Sequence, residues 1–174
     1  MSIRHIGLTR AQAEVYLEAA RVSLDRHHVS PQAFTLQDIS QVTTEKIIIL
    51  VRWETPDARC RRAWANADDA TTNGAYACAI AAIELYFGLY VVKRAETLTG
   101  ADYYVAPIHH TGEDLEDCYR LEVSGTNLNE YEVKRRLDIK VQQTQRGNSN
   151  LPAIAIVVGF RVKLISLRSV ERLP

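Results

Sequence analysis

The chain has 174 residues and a hydrophobic fraction of 47%, enough for one domain with a substantial core. Its 21 Lys plus Arg equal its 21 Asp plus Glu, so the net charge is zero. That argues against a binder working by nonspecific electrostatics alone, while leaving room for a basic patch balanced elsewhere. Cys60, Cys78 and Cys118 are too irregularly spaced for a disulfide framework or a zinc pattern and read as cytosolic thiols. The first ten residues lack the apolar core of a secretory signal, so a cytoplasmic location is expected.

In chain order, an amphipathic helix is expected from Thr9 or Arg10 to about Arg26, with Val15, Leu17, Ala19, Ala20, Val22 and Leu24 near helical period. His27 and His28 end it; adjacent residues in a helix point about 100° apart, so they read as a polar helix end rather than a metal pair. Phe34 to Ser40 reads as a short connector or small helix capped by Thr35. Lys46 to Trp53 reads as a strand, its β-branched run suggesting burial on both faces. Asp57 to Asp69, with Arg59, Arg61, Arg62 and Trp64, reads as an exposed loop, either a solvated face or a nucleic-acid contact.

Thr71-Thr72-Asn73 signals a helix start, and a long apolar helix follows to about Val92. It meets a length test for a membrane span, but Glu84 near its middle would cost roughly 3 kcal/mol there, so a buried core helix and no membrane are expected. Tyr90 to Ala95 either finishes that helix or begins a strand turning back at Thr97 to Gly100. Strands are expected at Tyr103 to Ile108 and Cys118 to Ser124, with an acidic turn from His109 to Asp117 between them. Gly125-Thr126-Asn127 breaks the second strand and caps a helix from Leu128 to about Gln145. After the loop from Gly147 to Pro152, Ala153 to Phe160 reads as a buried strand and Val162 to Val170 as a half-exposed edge strand. The interleaving predicts a single mixed α/β or α+β domain.

Three carboxylates stand out. Glu84 is the only charged residue from Gly74 through Val92, Asp102 opens one apolar strand, and Glu122 sits inside the next. Carboxylates brought to one sheet edge can hold a hard divalent cation, so Asp102 and Glu122 are candidate ligands for Mg2+ or Mn2+, with Glu84 completing or adjusting the site. On the following helix Val133, Leu137, Val141 and Thr144 form the sheet-packing stripe, and Arg136, Lys140 and Gln143 form a row along its edge. Lys140 must either snorkel or meet a buried acid, for which Glu122 is the obvious candidate. Lys140 would stabilise charge on a scissile phosphate or orient the attacking water, and Arg136 and Gln143 would hold phosphate or water. The plainer alternative is a structural ion-pair network of Glu84, Glu122, Arg136 and Lys140. Ser124 has no His-Asp pair to activate it, and His109-His110 reads as a solvated turn.

The order of elements resembles the restriction-endonuclease-like, or PD-(D/E)XK, superfamily, over roughly Thr72 to Phe160. In that superfamily a helix often carries a glutamate, a strand an aspartate, and the next strand E-x-K. The matching positions here are Glu84, Asp102 and Glu122. Gly100-Ala-Asp-Tyr with Leu121-Glu-Val-Ser-Gly also resembles a group of small bacterial proteins of the G-x-D-Y…L-E-V-S-G type. The lysine of E-x-K is replaced, since Glu122 is followed by Val123 and Ser124. Some members supply it from the following helix, where Lys140, or less well placed Lys134, answers to it.

The resemblance implies a metal-dependent nuclease acting on DNA, in bacterial defence or a mobile element, working as a homodimer or with a partner protein. The alternative is a non-catalytic interaction protein on the same scaffold, an immunity or assembly component, using the exposed edge near Val162 to Val170 as its interface.

Overall fold

The structure, a computed structural model, describes residues 4–40, 44–97, 99–110, 114–147 and 149–170. Eleven elements follow one another: α1 (Arg10–Asp25), β1 (Gln32–Asp38), β2 (Glu45–Val51), α2 (Ala58–Ala63), α3 (Ala67–Phe87), β3 (Leu89–Arg94), β4 (Tyr103–Pro107), β5 (Tyr119–Thr126), α4 (Glu130–Arg146), β6 (Ala153–Gly159) and β7 (Leu164–Val170). The seven strands form one mixed sheet in the order β2-β1-β7-β6-β5-β4-β3. β5 runs parallel to β6 and β1 parallel to β7; the other neighbours are antiparallel. The expected mixed α/β fold is thus the observed one.

Each sheet face buries its own set of side chains, as the period of two along a strand requires. On one face α1 and α3 cover Leu121 and Val123 of β5, Ile154, Ile156 and Val158 of β6, and Phe34 and Leu36 of β1. On the other, Val133, Leu137 and Val141 of α4 pack on Ala155 and Val157 of β6. The capping choices are legible. Asn66 accepts from Asp68 N and Asp69 N at the start of α3, Gly88 ends α3 in the left-handed region, and Asn129 accepts from Glu132 N at the start of α4. No helix among the described residues is long and apolar enough to cross a membrane.

Several expectations are corrected. The expected connector from Phe34 to Ser40 is strand β1: Phe34 and Leu36 are buried while Thr35 and Gln37 face away, a period of two that a helix cannot satisfy. Pairing of β1 with β7 moves Leu164–Val170 to the interior of the sheet, so β7 is not the exposed edge. The edge is β2. Its apolar run is not buried on both sides, because Ile49 and Val51 pack on the core whereas Ile48 and Leu50 are 71% and 66% exposed. The arginine-bearing loop contains the short helix α2, whose Arg61 pairs with Asp25 at 2.9 Å. The long helix begins earlier, at Ala67, and stops at Phe87, leaving Leu89–Arg94 as a strand. Of the expected acidic turn, residues 111–113 lie outside the described ones.

The opposite edge, β3, is covered. Gly7 N–H donates to Val91 O and Val91 N–H to His5 Nδ1, both at 3.0 Å, so the N-terminal segment takes the place of a neighbouring strand.

α3 reaches β5 most closely at Gly125. A Cβ there would lie 2.7 Å from Thr71 O and 2.8 Å from Ala75 Cβ. Gly125→Ala is therefore expected to lower stability by about 1–3 kcal/mol through overpacking, seen as a fall of roughly 2–4 °C in Tm per kcal/mol in thermal unfolding followed by circular dichroism.

Candidate active site

β5 is longer than β4. The two strands pair from Tyr103↔Leu121 to Val105↔Tyr119, and Asp102 N–H still donates to Leu121 O at 2.8 Å. Beyond that point β4 departs, and the Val123 N–H has no strand to bond. The Asp102 carboxylate takes its place, with Oδ2 accepting from Val123 N at 2.9 Å. Oδ1 accepts from the Tyr76 hydroxyl of α3 at 2.8 Å. Asp102 is thus held at the fork by a strand and a helix together.

Glu122 is the next residue along β5 from Leu121, on the α4 face, and it is buried. Lys140 of α4 donates to its Oε1 at 2.6 Å. Burial, reinforced by the nearby Asp102 charge, raises the Glu122 pKa above the ordinary carboxylate value, against the opposing bond and charge of Lys140 and the charge of Arg94. Arg94, at the end of β3, lies 3.7 Å from Asp102 Oδ1 and over the rings of Tyr76 and Tyr103, at 5.3 and 4.5 Å from their centroids. Tyr103 shares a 2.6 Å hydrogen bond with Tyr16 of α1. Burial, with the Asp102 charge and hydrogen bond, raises the Tyr76 pKa and keeps it a neutral donor.

A second layer fixes the approach to Asp102. Arg120 is buried on the α4 face of β5 and donates to three carbonyls, those of Thr99, Thr144 and Leu151, at 2.8–3.0 Å. It ties the turn before Asp102 to the C-terminal end of α4. Gly100, at φ 65°, lets that turn press on the helix, where a Cβ would be 2.5 Å from Gln143 O.

Of the residues expected to converge, Asp102, Glu122 and Lys140 do. Glu84 does not. It lies eight residues beyond Tyr76, about 12 Å along α3. There it accepts from Arg4 at 2.7 Å and bonds His5 Nε2 at 2.9 Å. Its role is to hold the N-terminal segment against β3. Arg136 is occupied, bonding Glu132 Oε1 at 2.7 Å and Gly125 O at 2.8 Å. Gln143 is exposed one turn past Lys140, and Lys134 is exposed on the opposite flank of α4, toward β7 and β1. The expected network of Glu84, Glu122, Arg136 and Lys140 is accordingly three separate pairings. Tyr76 and Arg94 belong to the site without having been expected there. A heptad-like reading of α3 facing β4 would have found Tyr76, but nothing in the local sequence marks Arg94.

Among the described residues no group of three or more His, Cys, Asp or Glu is placed to hold a metal. The two carboxylates still suit Mg2+, which binds through one or two carboxylates and keeps several waters or phosphate oxygens. Glu122 Oε2 has no protein partner among the described contacts and would be the available oxygen. No family model, curated protein or solved structure matches the chain. Fold and site together define a mixed α/β protein with a charge-balanced Asp-Glu-Lys-Arg cluster at a strand fork.

The raised pKa of Glu122 has a stability consequence. A carboxyl that binds its proton more tightly folded than unfolded favours the fold below the unfolded value, about 4.3. That contribution is lost as pH rises through the folded value. Glu122→Gln is therefore expected to gain stability relative to the wild type between pH 4.5 and pH 7.5, measured by urea unfolding at both. The opposite trend would mean that Lys140 dominates and holds the carboxyl low.

Proposed function

We propose that the protein is a divalent-metal-dependent nuclease of restriction-endonuclease-like organisation, acting on DNA in the bacterial cytoplasm. The succession α3-β3-β4-β5-α4-β6, with three antiparallel strands and then a parallel crossover, supports this. The observation that carries it is Lys140 Nζ at 2.6 Å from Glu122 Oε1, beside an Asp102 carboxylate fixed by the Val123 N–H. The amine lost from the E-x-K position is supplied by the next helix.

In this reading Asp102 and Glu122 hold Mg2+ or Mn2+, which supplies Lewis acidity and an acidified water. Lys140, beside Glu122, offers an N–H to the phosphate oxygen that gains charge. Arg94 is half-exposed and pinned by two rings, so the solvent-facing side of its guanidinium meets a second phosphate oxygen without reorganising. Tyr76 holds Asp102 in the orientation that faces the phosphate. A second copy or a partner protein would supply the other cut of a duplex, and the open edge of β2 is the surface for such pairing.

The second reading, a non-catalytic interaction protein, has one observation in its favour. Arg94 and Lys140 already neutralise the two carboxylates, so the cluster is charge-complete as it stands.

Calorimetry separates the two. Wild type is expected to bind Mn2+ at millimolar concentration or tighter, and Asp102→Ala and Glu122→Ala are each expected to abolish that binding while remaining folded. Lys140→Ala should keep the metal and lose about 10²–10³ in the cleavage rate of plasmid DNA. Wild type that takes up no Mn2+ and cuts no DNA sinks the nuclease reading and leaves the interaction protein.

Glu84→Gln provides a separate check. It is expected to leave Mn2+ affinity within twofold of wild type and to lower Tm by loosening the His5 contact. Loss of the metal on this substitution would restore Glu84 to the site.

A further inference from the structure

α4 covers β5, β6 and β7, whereas β1 and β2 are bare on that face among the described residues. The uncovered part is a groove of about 650 Å3. Its floor is mixed: Thr35, Gln37 and Ser166 lie beside Val133, Val162 and Leu164, and Gln37 Nε2 donates to Ser166 Oγ at 3.0 Å. Its rim is basic. Lys46 stands on β2, Lys134 on α4 and Lys163 at the turn between β6 and β7, all three exposed and none in an ion pair among the described residues. Arg168 closes one end and is shared with Asp138 at 3.5 Å. The single acid of the lining is Glu130, at the first turn of α4. In a chain of zero net charge this is a local cationic surplus, with Glu130 and Asp138 each four residues from Lys134 along α4. Beside them are exposed apolar groups on the same side: Tyr131 is 74% exposed, and Ile48 and Leu50 extend the β2 face that carries Lys46.

We infer that this groove binds a single strand of nucleic acid, its phosphates on Lys46, Lys134 and Lys163 and its unpaired bases against Tyr131, Ile48 and Leu50. Phosphate contacts alone would suit any polyanion; the apolar rim favours a strand whose bases are free to touch it. The inference deepens the proposed DNA chemistry and rests on it for the class of ligand, but not for the site. α4 stands between the two: Lys134 and Lys140 are six residues apart and so lie on different flanks of the helix, about 9 Å apart along its axis. A strand in the groove reaches the Asp102–Glu122 fork only by crossing α4, so binding should not need the carboxylates.

The test is fluorescence anisotropy on the full chain, with a labelled single-stranded oligonucleotide, its duplex and inorganic polyphosphate as probes. The triple variant Lys46→Gln, Lys134→Gln, Lys163→Gln is expected to bind the single strand at least tenfold more weakly. The slope of log affinity on log salt should be shallower by about 2, at roughly 0.7 per phosphate contact. Its circular dichroism spectrum should be that of the wild type, because the three side chains are exposed and unpaired. Arg59→Gln with Arg62→Gln, on exposed α2, should change binding less than twofold.

Wild type that binds no oligonucleotide, or a triple variant with unchanged affinity and slope, overturns the groove. Polyphosphate binding as tightly as the oligonucleotide makes it a general polyanion site and overturns the nucleic-acid assignment; a tighter duplex overturns the single strand. Strand affinity is measured without Mn2+, so it reads the groove apart from cleavage. Strand binding without Mn2+ uptake or cleavage would therefore remove the nuclease and keep the groove, and Mn2+-dependent cleavage untouched by the triple variant would do the reverse.

Discussion

A single backbone donor organises the candidate site. Where β4 leaves β5, the Val123 N–H is left in the interior without a strand to accept it, and a buried donor without a partner costs about 1–3 kcal/mol. Asp102 supplies the acceptor. That choice places a partly buried carboxylate next to the buried Glu122, and two such carboxylates in one place are tolerable only with cations beside them. Lys140 comes from α4 and Arg94 from β3. The polar cluster therefore follows from the way the sheet forks, and it ties β3, β4, β5, α3 and α4 to one point.

The same economy shapes what surrounds it. The cation of Arg94 is held by aromatic faces rather than by a second carboxylate, which leaves half of it in solvent. Arg120 turns three carbonyls, all of them in loops or at a helix end, into ligands for one guanidinium. Such ends carry unsatisfied acceptors by construction, so one buried arginine both satisfies them and fixes the turn that delivers Asp102. Removing Arg120 would loosen the geometry of Asp102 without touching it directly, whereas removing Arg94 would also delete its ion pair.

Most of the fold was legible because it rests on periodicity. The apolar stripe of α4, the buried run of β6 and the strands flanking the acidic turn follow from spacing alone. What failed was context. Phe34 to Asp38 alternates like a strand, yet it is short and follows a proline, so it read as a connector; missing it made β7 an edge and β2 an interior strand. Continuous β-branched sequence does not distinguish a buried strand from an edge strand with an apolar outer face, since only the neighbours decide. In the site, Asp102, Glu122 and Lys140 were legible because consecutive strands and the crossover helix are adjacent by topology. Glu84 misled because an isolated charge in an apolar helix states that a partner is needed, not which one. The partner, His5 with Arg4, comes from a segment 79 residues away in sequence.

The exchange of Glu84 for Tyr76 changes the expected chemistry. A third carboxylate would leave the cluster negative and able to bind a divalent ion by itself. With a neutral phenol in that place, Asp102 and Glu122 are balanced by Arg94 and Lys140, and an incoming cation meets no net charge. Mg2+ dehydrates reluctantly and draws part of its coordination from substrate phosphates. The phosphate is also what the two cations would turn toward, which frees the carboxylates for the metal. In the proposed nuclease, metal and phosphate would therefore have to bind together, each offsetting the charge that disfavours the other. Without either ligand, the pairs of Asp102 with Arg94 and of Glu122 with Lys140 leave the cluster neutral, and a neutral cluster is one that the fold can hold partly buried.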